Sequence, residues 1–325
     1  MSDTTASGKI ILAPMEGVVD AYMREILTSV GGIDQCVTEF VRVSDRLLPA
    51  KVFHRLSPEL KNGGKTSSGV PVVLQLLGSD PQAMAWNASR AAKLGAPAID
   101  LNFGCPAKTV NKNRGGAVLL DTPNDIHDIV AAVRQAVPDQ VPVTAKMRLG
   151  NRDKSLALEN AAAIDSAGAD GLVVHARTKL EGYKPPAHWE WIGRIRESVS
   201  MPVTANGEVW TVEDYHRCRE ASGCTDVMIG RGLVSCPDLG LQIKNDVVGD
   251  SQQLLDWEAI RLLIIEYYHQ VTDHVEANYV HGRIKQWVNQ MKRQYPQADE
   301  LFGRIRTLRK PEEIFAALER ACNRS

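Results

Sequence analysis

Val143-Thr144-Ala145-Lys146-Met147, Gly171-Leu172-Val173-Val174-His175, Val203-Thr204-Ala205 and Asp226-Val227-Met228-Ile229 are four short apolar runs separated by helix-length segments. Runs of that length, bounded by turn residues, read as strands buried on both faces of a parallel sheet. Toward the N-terminus the same rhythm adds Ile10 to Ala13, Gln35 to Phe40, Val70 to Leu76 and Ala98 to Asn102. Helix starts stand between them: Asp80-Pro81 before Gln82 to Leu94, Thr122-Pro123 before Asn124 to Val137, and Thr211 before Val212 to Ala221. Strands alternating with helices eight times predict an α/β chain folded as a (β/α)8 barrel. A doubly wound sheet is the other arrangement of such units, but no GxGxxG follows the first strand.

Beyond Leu254 the strand rhythm stops. Trp257 to Val271 and Tyr279 to Tyr295 carry helical apolar spacing, and Lys310-Pro311-Glu312 starts a last short helix. Two domains are therefore expected, a barrel over residues 1–253 and an all-α domain over residues 254–325.

The chain has 325 residues, and its 44% hydrophobic content is enough for a large core. Net charge is −1, so a nucleic-acid partner has to be met by local patches. One such patch runs from Val280 to Lys310, where Arg283, Lys285, Lys292, Arg293, Arg304, Arg306, Arg309 and Lys310 outnumber Asp299 and Glu300 by six. A second comprises Arg42, Arg46, Lys51, Arg55, Lys61 and Lys65 against Asp45 and Glu59. Either is also compatible with an ordinary solvated face. The six cysteines (Cys36, Cys105, Cys218, Cys224, Cys236, Cys322) form no CxxC pair and have no zinc-finger spacing to histidine. This pattern is expected of a reduced, cytoplasmic, metal-free protein. Residues 1–8 lack the basic start and apolar centre of a signal peptide, and no run reaches membrane-spanning length.

In a barrel of this kind the active site forms where strands end. Those ends carry Pro14-Met15-Glu16, Glu39 with Arg42, Gln75, Asn102 with Cys105, Lys146 with Arg148, His175 with Arg177, Asn206-Gly207-Glu208 and Gly230-Arg231-Gly232. Glycines at the last two ends leave backbone amides open to a phosphate, and Arg231 adds a forked cation. That suits FMN across the barrel mouth better than a dinucleotide. Lys146 offers a compact positive charge to an electron-rich ring. Cys105 sits on the turn Asn102-Phe103-Gly104-Cys105-Pro106, followed by Lys108, Lys112 and Arg114 with no acid between Leu101 and Leu120, so a positive field around the thiol is expected.

The segments APMEGV (13–18), TEFVRV (38–43), KVFH (51–54), VLQLLG (73–78), LNFGCPAKTV (101–110), KMRLG (146–150), VVHARTK (173–179), ANGEVW (205–210) and MIGRG (228–232) fall in one order along the chain. In that order they resemble the tRNA-dihydrouridine synthases. The resemblance runs from Ile10 to about Arg309. TEFVRV, LLPAKVFH and RIKQW point to the bacterial DusC branch, whose members reduce uridine 16 of the tRNA D-loop. One departure is Phe103, where these enzymes often have cysteine or methionine. The resemblance implies that NADPH reduces bound FMN, that reduced flavin delivers hydride to uracil C6, and that Cys105 protonates C5. It implies FMN contacts from Pro14, Met15, Glu16, Gln75, Lys146, His175, Asn206, Gly207, Glu208, Gly230 and Arg231. Asn102 would orient the uracil, and Arg42, Tyr183, Arg283 and Lys285 would contact tRNA. A free thiol is mostly protonated at neutral pH, so Cys105 needs no activation to act as an acid.

Two other classes fit the same barrel: an FMN-dependent reductase of a small pyrimidine, of the dihydroorotate type, and a non-catalytic tRNA binder. The basic helical tail is superfluous to the first, and Cys105 to the second. Without a long apolar heptad the chain is expected to be a monomer.

Overall fold

The computed structural model describes residues 8–112, 114–249 and 251–320. The reading of residues 1–7 and of Cys322 lies outside them. The strands are β1 Ile10–Leu12, β2 Gln35–Val37, β3 Val41–Arg42, β4 Val72–Leu77, β5 Ile99–Phe103, β6 Val143–Arg148, β7 Gly171–His175, β8 Val203–Asn206 and β9 Val227–Ile229. All pair in parallel, β1 with both β2 and β9, and β2 with β4, so the sheet closes on itself. The eight-stranded barrel is the predicted one.

One expected strand is broken. Gln35 to Phe40 reads as a single run, yet β2 and β3 both lie along β4, with Val37 opposite Val73 and Val41 opposite Leu76. Four residues advance on one side against three on the other, which is a β-bulge. The Thr38 hydroxyl fills the gap by accepting from the Gln75 amide at 3.0 Å, while the Thr38 amide donates to Val73 O at 2.9 Å. The bulge turns Glu39 and Phe40 into the barrel mouth.

Strand alternation sorts the inward side chains into layers. Ile11, Val37, Val73, Ala98, Val173 and Met228 fill the interior with apolar atoms. Two residues further along, on the same face, come Gln75, Asp100 and His175, and then Asn102. The outward faces join the helices in one large apolar cluster. Helix starts follow the sequence signals closely: Asp80 caps Pro81–Lys93 by accepting from the Ala83 amide at 2.6 Å, and Thr211 caps Val212–Ser222 by accepting from the Asp214 amide at 3.1 Å. Pro123–Ala136 begins where expected, although the Thr122 hydroxyl turns back to Leu119 O.

The C-terminal part consists of helices Trp257–His274, Ala277–Met291, Pro296–Ile305 and Pro311–Arg320. The third was not anticipated, because Tyr279 to Tyr295 reads as one long helix running into Pro296. This proline instead opens a new helix at its first turn. These helices pack directly on the barrel: Trp287, fully buried, donates its indole N–H to Val234 O at 3.0 Å and meets Tyr267 edge-on at 5.1 Å. No helix among the described residues is long and apolar enough to cross a membrane.

Candidate active site

The strand ends surround a cleft of 560 Å³, within the roughly 300–1,000 Å³ range of small-molecule sites. Pro14, Met15, Glu16, Gln75, Asn102, Cys105, Lys146, His175, Tyr183, Asn206, Gly207, Glu208, Gly230 and Arg231 all line it. Residues spread over more than 200 positions of sequence are thus brought together. Arg42, Arg283 and Lys285 are not among the lining residues.

A relay of side-chain hydrogen bonds supports the floor. Asp100, buried inside the barrel, accepts from the Thr144 hydroxyl and from Gln75 Nε2, both at 2.7 Å. With its nitrogen committed, Gln75 turns Oε1 toward Asn102 Nδ2, which donates to it at 2.7 Å. Asn102 Oδ1 therefore faces the other way and accepts from the amides of Gly104 and Cys105, each at 2.9 Å. Burial raises the Asp100 pKa, against the donors Gln75 and Thr144 and the charge of Lys146; with both of its oxygens accepting, this one buried acid fixes the orientation of two amides and of the turn that carries the thiol. By that inventory Asn102 Nδ2 keeps one hydrogen for a ligand.

The Cys105 turn is clamped from two more directions. Its carbonyl accepts from Asn111 Nδ2 at 2.9 Å and from the Ala117 amide at 3.1 Å. Gly116 makes the second contact possible, since it has φ +66° and a Cβ there would stand 2.8 Å from Cys105 O. Arg148, also buried, donates Nε to Gly104 O at 2.9 Å and Nη1 to the carbonyls of Thr178 and Gly182 at 3.1 and 3.0 Å. The thiol's surroundings correct the expected positive field. Lys108, Lys112 and Arg114 point to solvent, and Cys105 packs among Leu77, Val110, Phe40 and Ala107. Burial pushes the thiol pKa up, against the weaker opposing pull of Arg148 and Arg42. It is a thiol, not a thiolate, at neutral pH. Phe103 is buried in the main core.

The lining also carries Lys146, His175, Asn206 and Glu208. Lys146 Nζ donates to Asn206 Oδ1 at 2.9 Å, and Asn206 in turn donates to Met228 O at 2.8 Å. Burial, then Arg148, lowers the Lys146 pKa to about 7. His175 is held well below its usual pKa by burial and by Arg148, Lys146, Arg177 and Arg231, so it is neutral, and its Nδ1 is buried without a protein partner. Glu208, at φ +61°, accepts from Arg177 and from the Trp210 indole.

The residues outside the cleft have protein partners of their own. Arg42 donates to Thr109 O at 3.2 Å, Arg283 pairs with Asp20, and Lys285 donates to Leu308 O. Sequence reasoning missed Asp100, although its position two residues before Asn102 puts it on the same inward face. It also missed Trp210, which stands two residues beyond the Asn206-Gly207-Glu208 turn and lines the cleft.

Among the described residues no group of three His, Cys, Asp or Glu side chains could hold a metal ion. The family model described as dihydrouridine synthase matches residues 11–323. The chain belongs to the dihydrouridine synthase family. Among its curated relatives, the tRNA-dihydrouridine(16) synthase of Pseudomonas putida is 57% identical, over 92% of this chain and 92% of that protein. The enzyme of the same name from Ralstonia nicotianae is 52% identical over 97% of each chain. Among solved structures, histamine dehydrogenase from Rhizobium superposes with a TM-score of 0.55 at 15% identity, covering 80% of this chain and 48% of that one. That likeness concerns the barrel fold alone.

Proposed function

We propose that this dihydrouridine synthase reduces uridine to 5,6-dihydrouridine in the D-loop of tRNA, at position 16, with FMN in the barrel mouth and NADPH as reductant. The observation that carries the reading is the Cys105 thiol, protonated by burial and held at the cleft wall by Asn102. When bound and reduced, FMN supplies the hydride that goes to uracil C6.

The residues present fit that cofactor. The unpartnered His175 Nδ1, the desolvated Lys146 ammonium and the Gln75 amide offer polar contacts to a heteroaromatic ring. Pro14, Met15 and Glu16 frame one side of the cleft. Gly207 and Gly230, with Glu208 and Arg231 beside them, form the phosphate end. A Cβ at Gly230 would meet Met15 Sδ at 3.3 Å and Ala13 Cβ at 3.4 Å, so the glycine lets this strand end pack closely against the Met15 side of the cleft.

Cys105 gives its proton to C5 of the uracil. Charge that develops toward the C4 carbonyl during addition at C6 is stabilised by a fixed donor, and the free Nδ2 hydrogen of Asn102 supplies one. Residues 254–325 act as a tRNA-binding domain, with Arg283 and Lys285 on it and Arg42 and Tyr183 on the barrel as contacts. The target base has to leave its stack to reach the cleft. A cytoplasmic monomer accords with a tRNA substrate and with the free thiols of Cys36, Cys105, Cys218, Cys224 and Cys236. The test is anaerobic incubation of the purified yellow protein with NADPH and unmodified tRNA. Flavin bleaching by NADPH, reoxidation by tRNA and one dihydrouridine at position 16 are expected. Reoxidation by free pyrimidines but not by tRNA would favour the small-molecule reductase.

A further inference from the structure

The rim of the cleft carries a stack whose outer members, Trp210 and Arg293, the chemistry above does not use. The Arg148 guanidinium lies 5.2 Å from the Tyr183 ring centre, and Arg231 lies 4.9 Å from the same ring. Arg231 is also 4.9 Å from the Trp210 ring, and Arg293 sits 3.9 Å over Trp210. Cations and rings therefore alternate outward: Arg148, Tyr183, Arg231, Trp210, Arg293. The first four belong to the barrel, Arg148 at the end of β6, Tyr183 and Trp210 on loops and Arg231 at the start of helix Arg231–Ser235, while Arg293 stands just past helix Ala277–Met291, so the ladder joins the barrel to the helical part. Its inner end is fixed, because Arg148 is buried and Tyr183 meets His175 edge-on at 6.0 Å. Trp210 is fixed too: its indole donates to Glu208 at 3.0 Å, and its carbonyl accepts from Gln294 at 3.2 Å.

The outer end is open. Arg293 is exposed, and among the described residues it has no carboxylate partner. Four other cations of the same basic segment do, Arg283 with Asp20, Lys292 with Asp299, Arg304 with Glu300 and Lys310 with Glu313; Lys285, Arg306 and Arg309 share with Arg293 the lack of one among the described residues, and of these four Arg293 is the one that stands over a ring of the cleft. Glu208, near Arg231 at 3.7 Å, is already shared with Arg177. An exposed guanidinium stacked on indole at a cleft mouth offers a phosphate a forked donor and a base a planar face.

We propose that Trp210 and Arg293 form a nucleotide-docking step that takes the phosphodiester and unstacked base adjoining the extruded uridine. This rests on the reading of tRNA as substrate. A ladder that starts at the cleft wall and crosses onto the helical part meets the nucleotide next to the one in the cleft, which suits a polynucleotide better than a ligand confined to the cleft.

The test compares R293A, R293K and W210A with the intact chain in two assays: tRNA affinity across a salt series, and flavin reduction by NADPH without RNA. R293A is expected to weaken tRNA binding about tenfold and to reduce the slope of log affinity against log salt by about one, with flavin reduction unchanged. R293K should restore the slope but not the affinity, because an ammonium keeps the charge and loses the planar stack. W210A should weaken binding comparably, and retained FMN shows that it is folded. Unchanged affinity and slope in R293A would overturn the proposal, as would full recovery in R293K. A higher KM for NADPH with tRNA binding intact would assign the step to the reductant's phosphates instead. If the intact chain itself binds no tRNA, it is the underlying reading that fails.

Discussion

On the proposed reading Asn102 holds the Cys105 turn and donates to the substrate, and the substitution N102D separates the two. The oxygen that accepts from the Gly104 and Cys105 amides at 2.9 Å is retained, so the turn holding the thiol stays in place. What disappears is Nδ2, which donates to Gln75 Oε1 at 2.7 Å and has one hydrogen left for the uracil. Gln75 cannot compensate by turning over, because Asp100 already demands its nitrogen at 2.7 Å. A buried acceptor is left facing a carboxylate, at a cost of about 1–3 kcal/mol, so Tm is expected to fall by a few degrees. Loss of a donor aimed at developing oxyanion charge costs about 10²–10³ in rate, or roughly 3–4 kcal/mol. Stopped-flow absorbance of the flavin reads the two half-reactions apart. Reduction by NADPH should stay within about twofold of the intact protein, while reoxidation by tRNA slows by about 10²–10³. If reoxidation slows less than about tenfold, or if both halves fall together, the assignment of Asn102 as substrate donor is refuted.

Lys146, with a pKa of about 7 in the free protein, should take up a proton when FMN binds, roughly 0.9 per site at pH 8. Calorimetry in buffers of different ionisation enthalpy measures this, and K146M should abolish it. G116A places a methyl 2.8 Å from Cys105 O at φ +66°, and should destabilise the protein by about 1–3 kcal/mol and slow uridine reduction. Its FMN content should be unchanged, because Gly116 does not line the cleft. D20N frees Arg283 while an amide oxygen still caps helix Ala21–Val30. If Arg283 contacts tRNA, binding in a filter assay should strengthen about two- to fivefold, in line with the value of a partly exposed ion pair.

The barrel was legible because parallel strands buried on both faces leave an apolar run in the sequence. Gly171 to His175 appears with the same bounds in the structure, and Val203 to Ala205 is one residue short. The break at Thr38 was not legible, because a hydroxyl replacing a backbone group in the ladder leaves no trace in hydrophobic pattern. Asp100 escaped for a related reason: inside an apolar strand it reads as an interruption, and only the two-residue period that links it to Asn102 marks it as inward-facing. Fourteen of the residues that line the cleft were reachable from strand ends and family motifs together. The partners of Arg283 and Lys285 were not, since Asp20 lies 263 positions away and Leu308 contributes only a backbone carbonyl. Basic composition marked the helical part as cationic, but only the packed structure shows that Arg293 is stacked on Trp210 without a carboxylate while Lys292, Arg304 and Lys310 are paired.

The most direct test of the central claim is position-resolved mapping of dihydrouridine in tRNA from cells lacking this protein, complemented with the intact chain or with C105A. The account predicts that the intact chain restores dihydrouridine at position 16 and that C105A, still loaded with flavin, does not. Equal restoration by C105A would contradict the thiol as proton donor, and no restoration by either would contradict the tRNA substrate.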